Sequence, residues 1–527
     1  MTDERTSVLI AGAGLAGCSS ALFLARRGID VLLVERHSGT SIHPRATGQY
    51  PWTMEMLRVG GVADQVVAAS HGLGQGMTIK IAESVRGTVY RTIVDGNEDY
   101  DTSAISPAPW GMASQDVVEP ILLDAAGERG ATIRFATEVV DVDQDGNGVT
   151  ARLLDRSTGR LSTVRADYLI AADGHRSPIR ERLGIKRNGK GALSHMVGVM
   201  FDADLSEYVD DDSVALYFIR NDAMSAVFIN TGVPHRHLMG FDYYPDRGQS
   251  AAYFTNDRVT ELIRIGLADP AVVPDIKVVQ AWEIAANIAE RFADGRIFLV
   301  GDAAKVTPPT GGLGGNTAIG DGYDIAWKLA DVLDGVAGPG LLDSYQAERK
   351  PYAEQIVNTS LHNFKARLMP SLDLSDLSDL TERVDLLALG FGFRCRSDAV
   401  IAGDDDPALA EDPTKPSGRP GFRAPHANIT VNGAELSTRD LFGNCWVLIA
   451  ADDEWQAAAE HAANVFGVGL TTYRVDGATT QTYGIGDAGA SLIRPDGVVA
   501  WRTAVAGTEP TRALVGALGR LLDRPDA

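Results

Sequence analysis

The stretch Ser7-Val8-Leu9-Ile10-Ala11-Gly12-Ala13-Gly14-Leu15-Ala16-Gly17 runs a short apolar segment directly into three glycines spaced Gly-x-Gly-x-x-Gly. An apolar run of that length is the mark of a strand buried on both faces of a parallel sheet. Ser19 to Arg27 then repeats its apolar residues with helical period and stops at Gly28, a residue suited to closing a helix. Val31 to Val34 is a second buried strand, and Glu35 stands at its end. Strand, turn, helix and strand in this order predict a right-handed crossover unit. Within it, Gly12 makes the tight turn, Gly14 lets a diphosphate approach the backbone, and Gly17 lets the helix pack close. The helix start at Leu15 and Ala16 offers free N–H groups and the positive end of its dipole to an anion. Glu35 and its neighbour Arg36 are placed to meet the adenosine ribose. The predicted class is therefore α/β with a Rossmann-like dinucleotide-binding unit.

A lone Gly-x-Gly-x-x-Gly is a weak signal. Gly484-Ile485-Gly486-Asp487-Ala488-Gly489 matches it too, but an apolar strand pattern, Ala490 to Ile493, follows where a helix is required, so this copy reads as a loop. Two further motifs strengthen the N-terminal one. Ala172-Asp173-Gly174-His175-Arg176-Ser177-Pro178 directly follows the strand pattern Tyr168 to Ala172, although Asp-Gly is also common in plain turns. Gly301-Asp302-Ala303-Ala304-Lys305 continues through Pro308-Pro309-Thr310-Gly311-Gly312-Leu313-Gly314-Gly315-Asn316 into a long helical pattern. There Asp302 suits a ribityl hydroxyl. The helix start behind Pro309, Gly312, Gly314, Gly315 and Asn316 suits the N1–C2=O region of a reduced flavin, where negative charge develops. A nicotinamide dinucleotide alone has no use for this second site, whereas FAD does.

Around these motifs the chain divides by pattern. Residues 1–180 read as the first part of an FAD-binding domain, with strands near 77–110 that belong to another sheet. Residues 181–281 read as a β-sheet substrate domain, rich in runs such as Val214 to Ile219 and His237 to Tyr244. Residues 282–400 return to the FAD domain with two long helices, Asn316 to Leu333 and Leu341 to about Phe364. The Pro- and Gly-rich stretch Asp412 to Pro425 is a linker within 401–527, whose strand, helix, strand pair and final helix have the order of a thioredoxin-like domain.

At 527 residues several such units are needed. The formal net charge of −22 disfavours nucleic acid and anionic membrane as partners. Three scattered cysteines, Cys18, Cys395 and Cys445, fit a reducing cytoplasm better than a disulfide framework. The polar start Met1 to Ser7 does not read as a signal peptide, and no apolar run reaches the ~18 residues of a bilayer span. His235 and His237 lack the further ligands of a metal site, so no metal is expected and both histidines read as surface residues. Trp282 and Trp327 read as core. Oligomeric state is undecided between monomer and homo-oligomer.

Together the three motifs resemble the group A flavoprotein monooxygenases of the para-hydroxybenzoate hydroxylase-like fold. The resemblance is closest to their aromatic polyketide hydroxylases. It extends to His43-Pro44-Arg45-Ala46, Met112-Ala113-Ser114-Gln115, Ser417-Gly418-Arg419-Pro420-Gly421-Phe422-Arg423 and Asp440-Leu441-Phe442-Gly443, and so to nearly the whole chain. It implies noncovalent FAD, with Arg45 and Gln115 at the flavin or its diphosphate and Val139 among the cofactor contacts. It implies NADPH or NADH as a transient reductant, since no second nucleotide motif is present. It also implies O2 as co-substrate, a flavin C4a-hydroperoxide, and a polycyclic, anthracycline-type phenol as substrate. Lys305 stands where many relatives carry His, which puts a role for that position in doubt. The lone Cys445 agrees with a C-terminal domain that has no redox role.

Such chemistry asks the protein to bind flavin, exclude water and orient the ring. An ionised phenol reacts faster, so a nearby cation or base helps. Arg394 and Tyr217 are the candidates for this catalytic part. Arg394 reads equally well as half of a structural ion pair, and Tyr217 as a core tyrosine. Baeyer–Villiger insertion and epoxidation remain open on the same scaffold, as does a flavin-fold protein that binds without catalysing. A halogenase is disfavoured because no Trp pair has its WxWxIP spacing.

Overall fold

In the computed structural model, the strand Glu4–Ala11 lies between Val31–Val34 and Leu161–Ala171 and is parallel to both. The structure describes residues 4–44, 46–70, 77–95, 101–209, 214–367, 380–504 and 509–525. Arg45, Tyr100 and the acidic run 210–212 lie outside them. The first sheet continues through Ile297–Leu299 and Ala293–Asp294 on one side and Thr132–Arg134 on the other, and the hairpin Thr137–Asp145 and Gly148–Asp155 pairs onto Leu161–Ala171. Its central residues, among them Val8, Leu9, Ile10, Leu169 and Ile170, are wholly buried, as expected of apolar strands covered on both faces.

The helix Leu15–Arg26 packs between this sheet and the helix Leu313–Leu333. A Cβ at Gly322 would stand 2.4 Å from Ser19 Oγ, so the two helices meet at a point where no side chain fits. Leu313–Leu333 starts three residues before the predicted Asn316. Gly314 and Gly315 lie inside its first turn, and a Cβ at Gly315 would fall 2.9 Å from Ala46 Cβ and 3.0 Å from Leu15 Cδ1. From Asn316 to Asp331 every residue is buried. A helix covered all round must pair its charges internally. Asp321 takes Lys305 and Arg349, Lys328 takes Asp324 and Glu348, and Asp331 takes Arg27.

The second sheet has the order Lys305–Val306, Asp275–Ala289, Arg187–Asp202, Arg236–Tyr243, Met224–Thr231, Val214–Asn221, Met77–Ala82 and Val89–Asp95. One face packs on the helix Asn256–Leu267, through Val197, Val199, Phe228, Met239 and Phe241 against Val259, Leu262 and Ile263. That helix interrupts a region the sequence presents only as β-rich; its start is capped by Thr255, whose hydroxyl accepts from Arg258 N. The opposite face meets the helix Asp343–Arg367, where Phe364 packs with Met196, Trp282 and Ile284.

The C-terminal part forms a four-stranded sheet ordered Leu470–Arg474, Trp446–Ala450, Ala490–Ile493 and Val499–Thr503. Only the first pair is parallel. The strand Leu470–Arg474 and the helix Gly477–Tyr483 are additions to the sequence reading. Gly484 to Gly489 is the turn between that helix and Ala490–Ile493, as its missing helix implied. Trp446 stacks edge-on to Trp327 and donates from Nε1 to Asp331 Oδ2 at 3.1 Å, fixing this sheet against the long buried helix.

Candidate active site

Three segments far apart in sequence converge on the first turn of Leu15–Arg26. Gly12 has φ +108°, and a Cβ there would lie 2.3 Å from the Ala172 carbonyl oxygen, so the Asp173-Gly174 segment backs directly onto the glycine turn. Gly17 is closed in the same way, its Cβ falling 1.9 Å from Gly12 O. Gly301, at φ +58°, brings the third segment against Ala16, with a Cβ there 2.8 Å from Ala16 Cβ. Gly14 differs. It caps the helix with no side chain of its own, and a Cβ at this position would find only Glu119 Oε1, at 3.8 Å. The backbone is thus pressed tight behind the turn and left open in front of it, the shape required of a diphosphate cradle.

Glu35 is held beside that cradle by accepting from Ala13 N at 2.9 Å and His37 N at 2.8 Å, while Arg36 is exposed. Val139 lies on the neighbouring strand Thr137–Asp145, partly buried against the same core. Asp173 accepts from Ser177 Oγ at 2.6 Å and Ile179 N at 3.0 Å, so its carboxylate organises the turn after its strand; burial raises its pKa. Asp302 and Pro309 are exposed in a run that is otherwise mostly buried. Beyond them Gly312, in the left-handed region at φ +65°, caps the second helix without a side chain. These features fit FAD: one open helix start for the diphosphate, an acid for each polyol, and a second helix start for the ring. Asn316 serves this geometry indirectly. Its Nδ2 donates to Gly48 O and Gly312 O at 3.0 and 2.8 Å, and its Oδ1 accepts from Tyr50 N at 3.0 Å, tying the second helix start to residues 48–50.

Gln115 begins the helix Gln115–Glu128 and donates from Nε2 to Glu119 Oε1 at 2.5 Å, while Glu119 Oε2 accepts from Ser41 N at 3.0 Å. Sequence reading missed Glu119, although its place one helical turn after Gln115 puts both on one face. Burial, with Glu35 and Asp116 adding repulsion, pushes its carboxyl up to about 7. The folded protein thus holds a proton that the unfolded chain releases near pH ~4, and this part of apoprotein stability is lost as pH rises towards 7. An ionised Glu119 beside Gly14 also repels a diphosphate. FAD affinity is expected to weaken between about pH 6 and about pH 8.5, and Glu119→Gln to flatten that slope. Fluorescence titration of apoprotein with FAD checks it, and equal slopes in the two proteins would clear Glu119 of the effect.

Two sequence candidates lie elsewhere. Arg394 is buried at the junction with the C-terminal part. It pairs with Asp404 at 2.8 Å, donates to Asp406 O at 3.1 Å and stacks over Phe422, so the ion-pair reading is the one realised. Tyr217 lies on the sheet face packed by Asn256–Leu267, against Phe228 and under Lys80, not on the face turned to Asp343–Arg367. Lys305 is buried on Asp321 at 2.6 Å. His237 is buried between Phe201 and Phe228 rather than on the surface. Trp327 is core, whereas Trp282 is half-buried on the inner sheet face. Among the described residues Asp324, Glu348 and Asp496 cluster closely enough for a cation, but Lys328 and Arg494 already neutralise their oxygens.

The inner face of the second sheet can be read from its register. Arg220 lies opposite Ser225, and Asp242 opposite Met196, which lies opposite Trp282. Beyond this row the two strands Arg187–Asp202 and Asp275–Ala289 continue to the end of the sheet where Arg187 donates to the Asp302 carbonyl at 3.1 Å. The end of the sheet that carries Arg187 thus touches the segment of Asp302.

Residues 5–360 match the FAD binding domain family, and residues 417–525 match the aromatic-ring hydroxylase C-terminal family. The chain belongs to the group A FAD-dependent aromatic polyketide hydroxylases, and it is an FAD-dependent monooxygenase. It is 48% identical to an aklavinone 12-hydroxylase of Streptomyces purpurascens over 541 aligned residues, covering 99% of this chain and 100% of that one. A tetracenomycin A2 monooxygenase-dioxygenase of Streptomyces glaucescens is 38% identical, with 99% and 98% covered. The crystal structure of a ternary complex of aklavinone-11 hydroxylase with FAD and aklavinone superposes with a TM-score of 0.94 at 48% identity, covering 99% of this chain and 100% of that one. Among the described residues no helix is long and apolar enough to cross a membrane.

Proposed function

We propose that this monooxygenase hydroxylates a polycyclic aromatic polyketide, an anthracycline-type phenol, in antibiotic-type secondary metabolism. The observation that carries the reading is end-to-end similarity to an enzyme crystallised with FAD and aklavinone, joined to a flavin cradle that faces a half-open sheet. FAD, reduced by NADPH or NADH, supplies the activation of O2. The protein's own residues hold and orient: Gly12, Gly14, Leu15, Ala16 and Gly17 at the diphosphate, Glu35 and Arg36 at the adenosine, Arg45 and Gln115 near the ring and diphosphate. Val139, Asp173, Asp302, Pro309, Gly312, Gly314, Gly315 and Asn316 complete the cofactor site. In this reading the FAD-binding domain spans 1–180 and 282–400, the substrate sheet 181–281 together with the strands near 77–110, and a thioredoxin-like domain without redox function 401–527. Ring expansion and epoxidation are not favoured, because the aklavinone enzymes at 48% and 50% identity are named as hydroxylases.

The test is NADPH oxidation by the FAD-loaded protein with and without an anthracycline-type phenol, followed by mass analysis. Stimulated oxidation and a gain of one oxygen on an intact ring system are expected. Oxygen inserted into a ring bond would replace hydroxylation by Baeyer–Villiger chemistry. A yellow protein with no stimulation by any such phenol would overturn the substrate class.

A further inference from the structure

The outer face of the second sheet is closed. Val197, Val199, Phe228, Met239 and Phe241 are wholly or almost wholly buried beneath the helix Asn256–Leu267. The inner face is only half-covered: Arg220, Ser225, Val227, Gly240, Asp242 and Trp282 all retain partial exposure. It is also flattened, since Met196 and Trp282 lie over the paired glycines Gly240 and Gly198, where a Cβ would fall 2.9 Å from Met196 Cε and 3.3 Å from Trp282 Nε1. A flat, half-open, largely apolar surface suits a planar polycycle.

At the row of Arg220, Met196 and Trp282 this face carries a carboxylate, Asp242. Asp242 Oδ2 accepts from Ser225 Oγ at 2.9 Å and Oδ1 from Ser194 Oγ at 3.3 Å. Arg220, from the strand Val214–Asn221, faces it as a cation, and Tyr244 lies close on its own chain. Two hydroxyl donors fix the orientation of the carboxylate and leave lone pairs on both oxygens, since each accepts two hydrogen bonds. Met196 stands opposite Asp242 on one flanking strand, with Trp282 beyond it, and Ser225 donates to Asp242 from the other.

We propose that Asp242 is the group that receives the substrate's phenolic proton, with Arg220, Ser194 and Ser225 positioning it. The inference rests on the hydroxylase reading above and adds to it a residue that touches substrate. As oxygen transfer proceeds, the phenol O–H bond breaks and the proton passes to the Asp242 carboxylate. The electron pair stays on the phenol oxygen and raises the nucleophilicity of the ring. One oxygen atom of O2 enters the ring and the other leaves as water, the balancing electrons come from the nicotinamide reductant, and the proton of the ring carbon passes to solvent as aromaticity is regained. Burial lifts the Asp242 pKa above the ordinary carboxylate value, which strengthens it as a base.

Binding and turnover test this separately. Wild-type protein loaded with FAD is expected to bind a dihydroxyanthraquinone at least about tenfold more tightly than its dimethyl ether, the worth of a hydrogen bond to a charged acceptor. Asp242→Leu and Asp242→Asn are expected to shrink that preference. Fluorescence quenching reads both and requires no turnover. In turnover, Asp242→Asn is expected to lower kcat about 100-fold, more than it raises KM, and to remove the acidic limb of the pH–rate profile. Asp242→Glu should recover part of the rate. Equal wild-type affinity for phenol and ether overturns the assignment without reference to any variant, and so does an Asp242→Asn enzyme with wild-type kcat and pH profile. Wild-type protein that prefers the phenol but hydroxylates no anthracycline-type compound would instead sink the functional reading and leave Asp242 as the phenol's acceptor.

Discussion

Gly14→Val yields a folded protein that has lost FAD. The backbone at Gly14 has φ −80° and ψ 177°, an extended conformation open to any residue, and a Cβ there meets nothing closer than 3.8 Å. The cost to the apoprotein is limited to the poorer helix cap, about 1 kcal/mol or less. The added side chain projects into the space in front of the helix start, where the diphosphate must come within hydrogen-bonding reach of backbone N–H groups. Holding the anion off that turn is expected to weaken FAD by at least about 100-fold, or ~2.7 kcal/mol. Gly12→Val behaves in the opposite way. At φ +108° with Ala172 O only 2.3 Å from its Cβ, it combines backbone strain with overpacking. Each of those costs about 1–3 kcal/mol, so apoprotein stability itself falls. Urea unfolding of the apoproteins and FAD titration by fluorescence separate the two. A Gly14→Val protein that binds FAD as tightly as wild type would move the diphosphate away from this turn.

The same glycines explain why the cofactor cradle was legible in the sequence. A position that tolerates no Cβ accepts only one residue type, so Gly12, Gly17, Gly301 and Gly315 record close approaches between segments that are far apart in the chain. Other parts of the site leave no such mark. Tyr217 and Phe218 are neighbours on one strand, and a single step decides which of them faces the flavin side. Alternation gives two faces but does not say which one the rest of the molecule covers. The helix Asn256–Leu267, which settles the matter, was itself hidden in a β-rich stretch. Arg394 illustrates a different limit. A lone arginine near the end of a domain fits phenol activation and ion pairing equally, and the deciding partner, Asp404, lies in a loop that no periodicity marks. Asp242 did leave a trace. In the strand Arg236–Tyr243 the inner positions are Arg236, Leu238, Gly240 and Asp242; Arg236 pairs with Asp202 at one end, whereas Asp242 follows two uncharged positions. An acid on the inward face of an alternating strand was the available signal.

Hidden most completely was the charge network behind the long helix, and it leads to the largest expected loss of stability. Glu348 lies in the segment matched by the FAD binding domain family and Arg494 in that matched by the hydroxylase C-terminal family. Arg494 grips Glu348 through two bonds, Nη1–Oε1 at 2.6 Å and Nη2–Oε2 at 2.9 Å, while Lys328 donates to Oε2 at 3.0 Å and Ser397 Oγ to Oε1 at 2.6 Å. Arg494 and Lys328 have no solvent exposure and Glu348 almost none. With two cations against it, the Glu348 carboxyl is held far below the usual carboxylate range. Neutralising it by Glu348→Gln leaves Lys328 with Asp324 and Arg494 with Asp496 as remaining carboxylate partners where water cannot reach them, and loss of the shared charge costs about 3 kcal/mol. A depressed pKa contributes stability that is complete above the unfolded-state value and is lost as pH falls through the folded one. The difference between wild type and Glu348→Gln is therefore expected to be full at pH ~7 and to narrow below pH ~4. Asp324, lifted to about 6 by burial with Glu348 adding repulsion, works in the opposite sense: its ionisation weakens the fold as pH rises from about 4 to about 6, and Glu348→Gln, which removes that repulsion, narrows this loss. Urea unfolding at several pH values measures the difference between them. Because the network joins the two matched segments, Glu348→Gln should also be cut faster by protease between about residues 400 and 417, where the chain crosses from one to the other. Equal unfolding midpoints at neutral pH, with unchanged proteolysis, would show that Asp324 and Asp496 suffice for the two cations and that the junction is held by the Trp327–Trp446 contact instead.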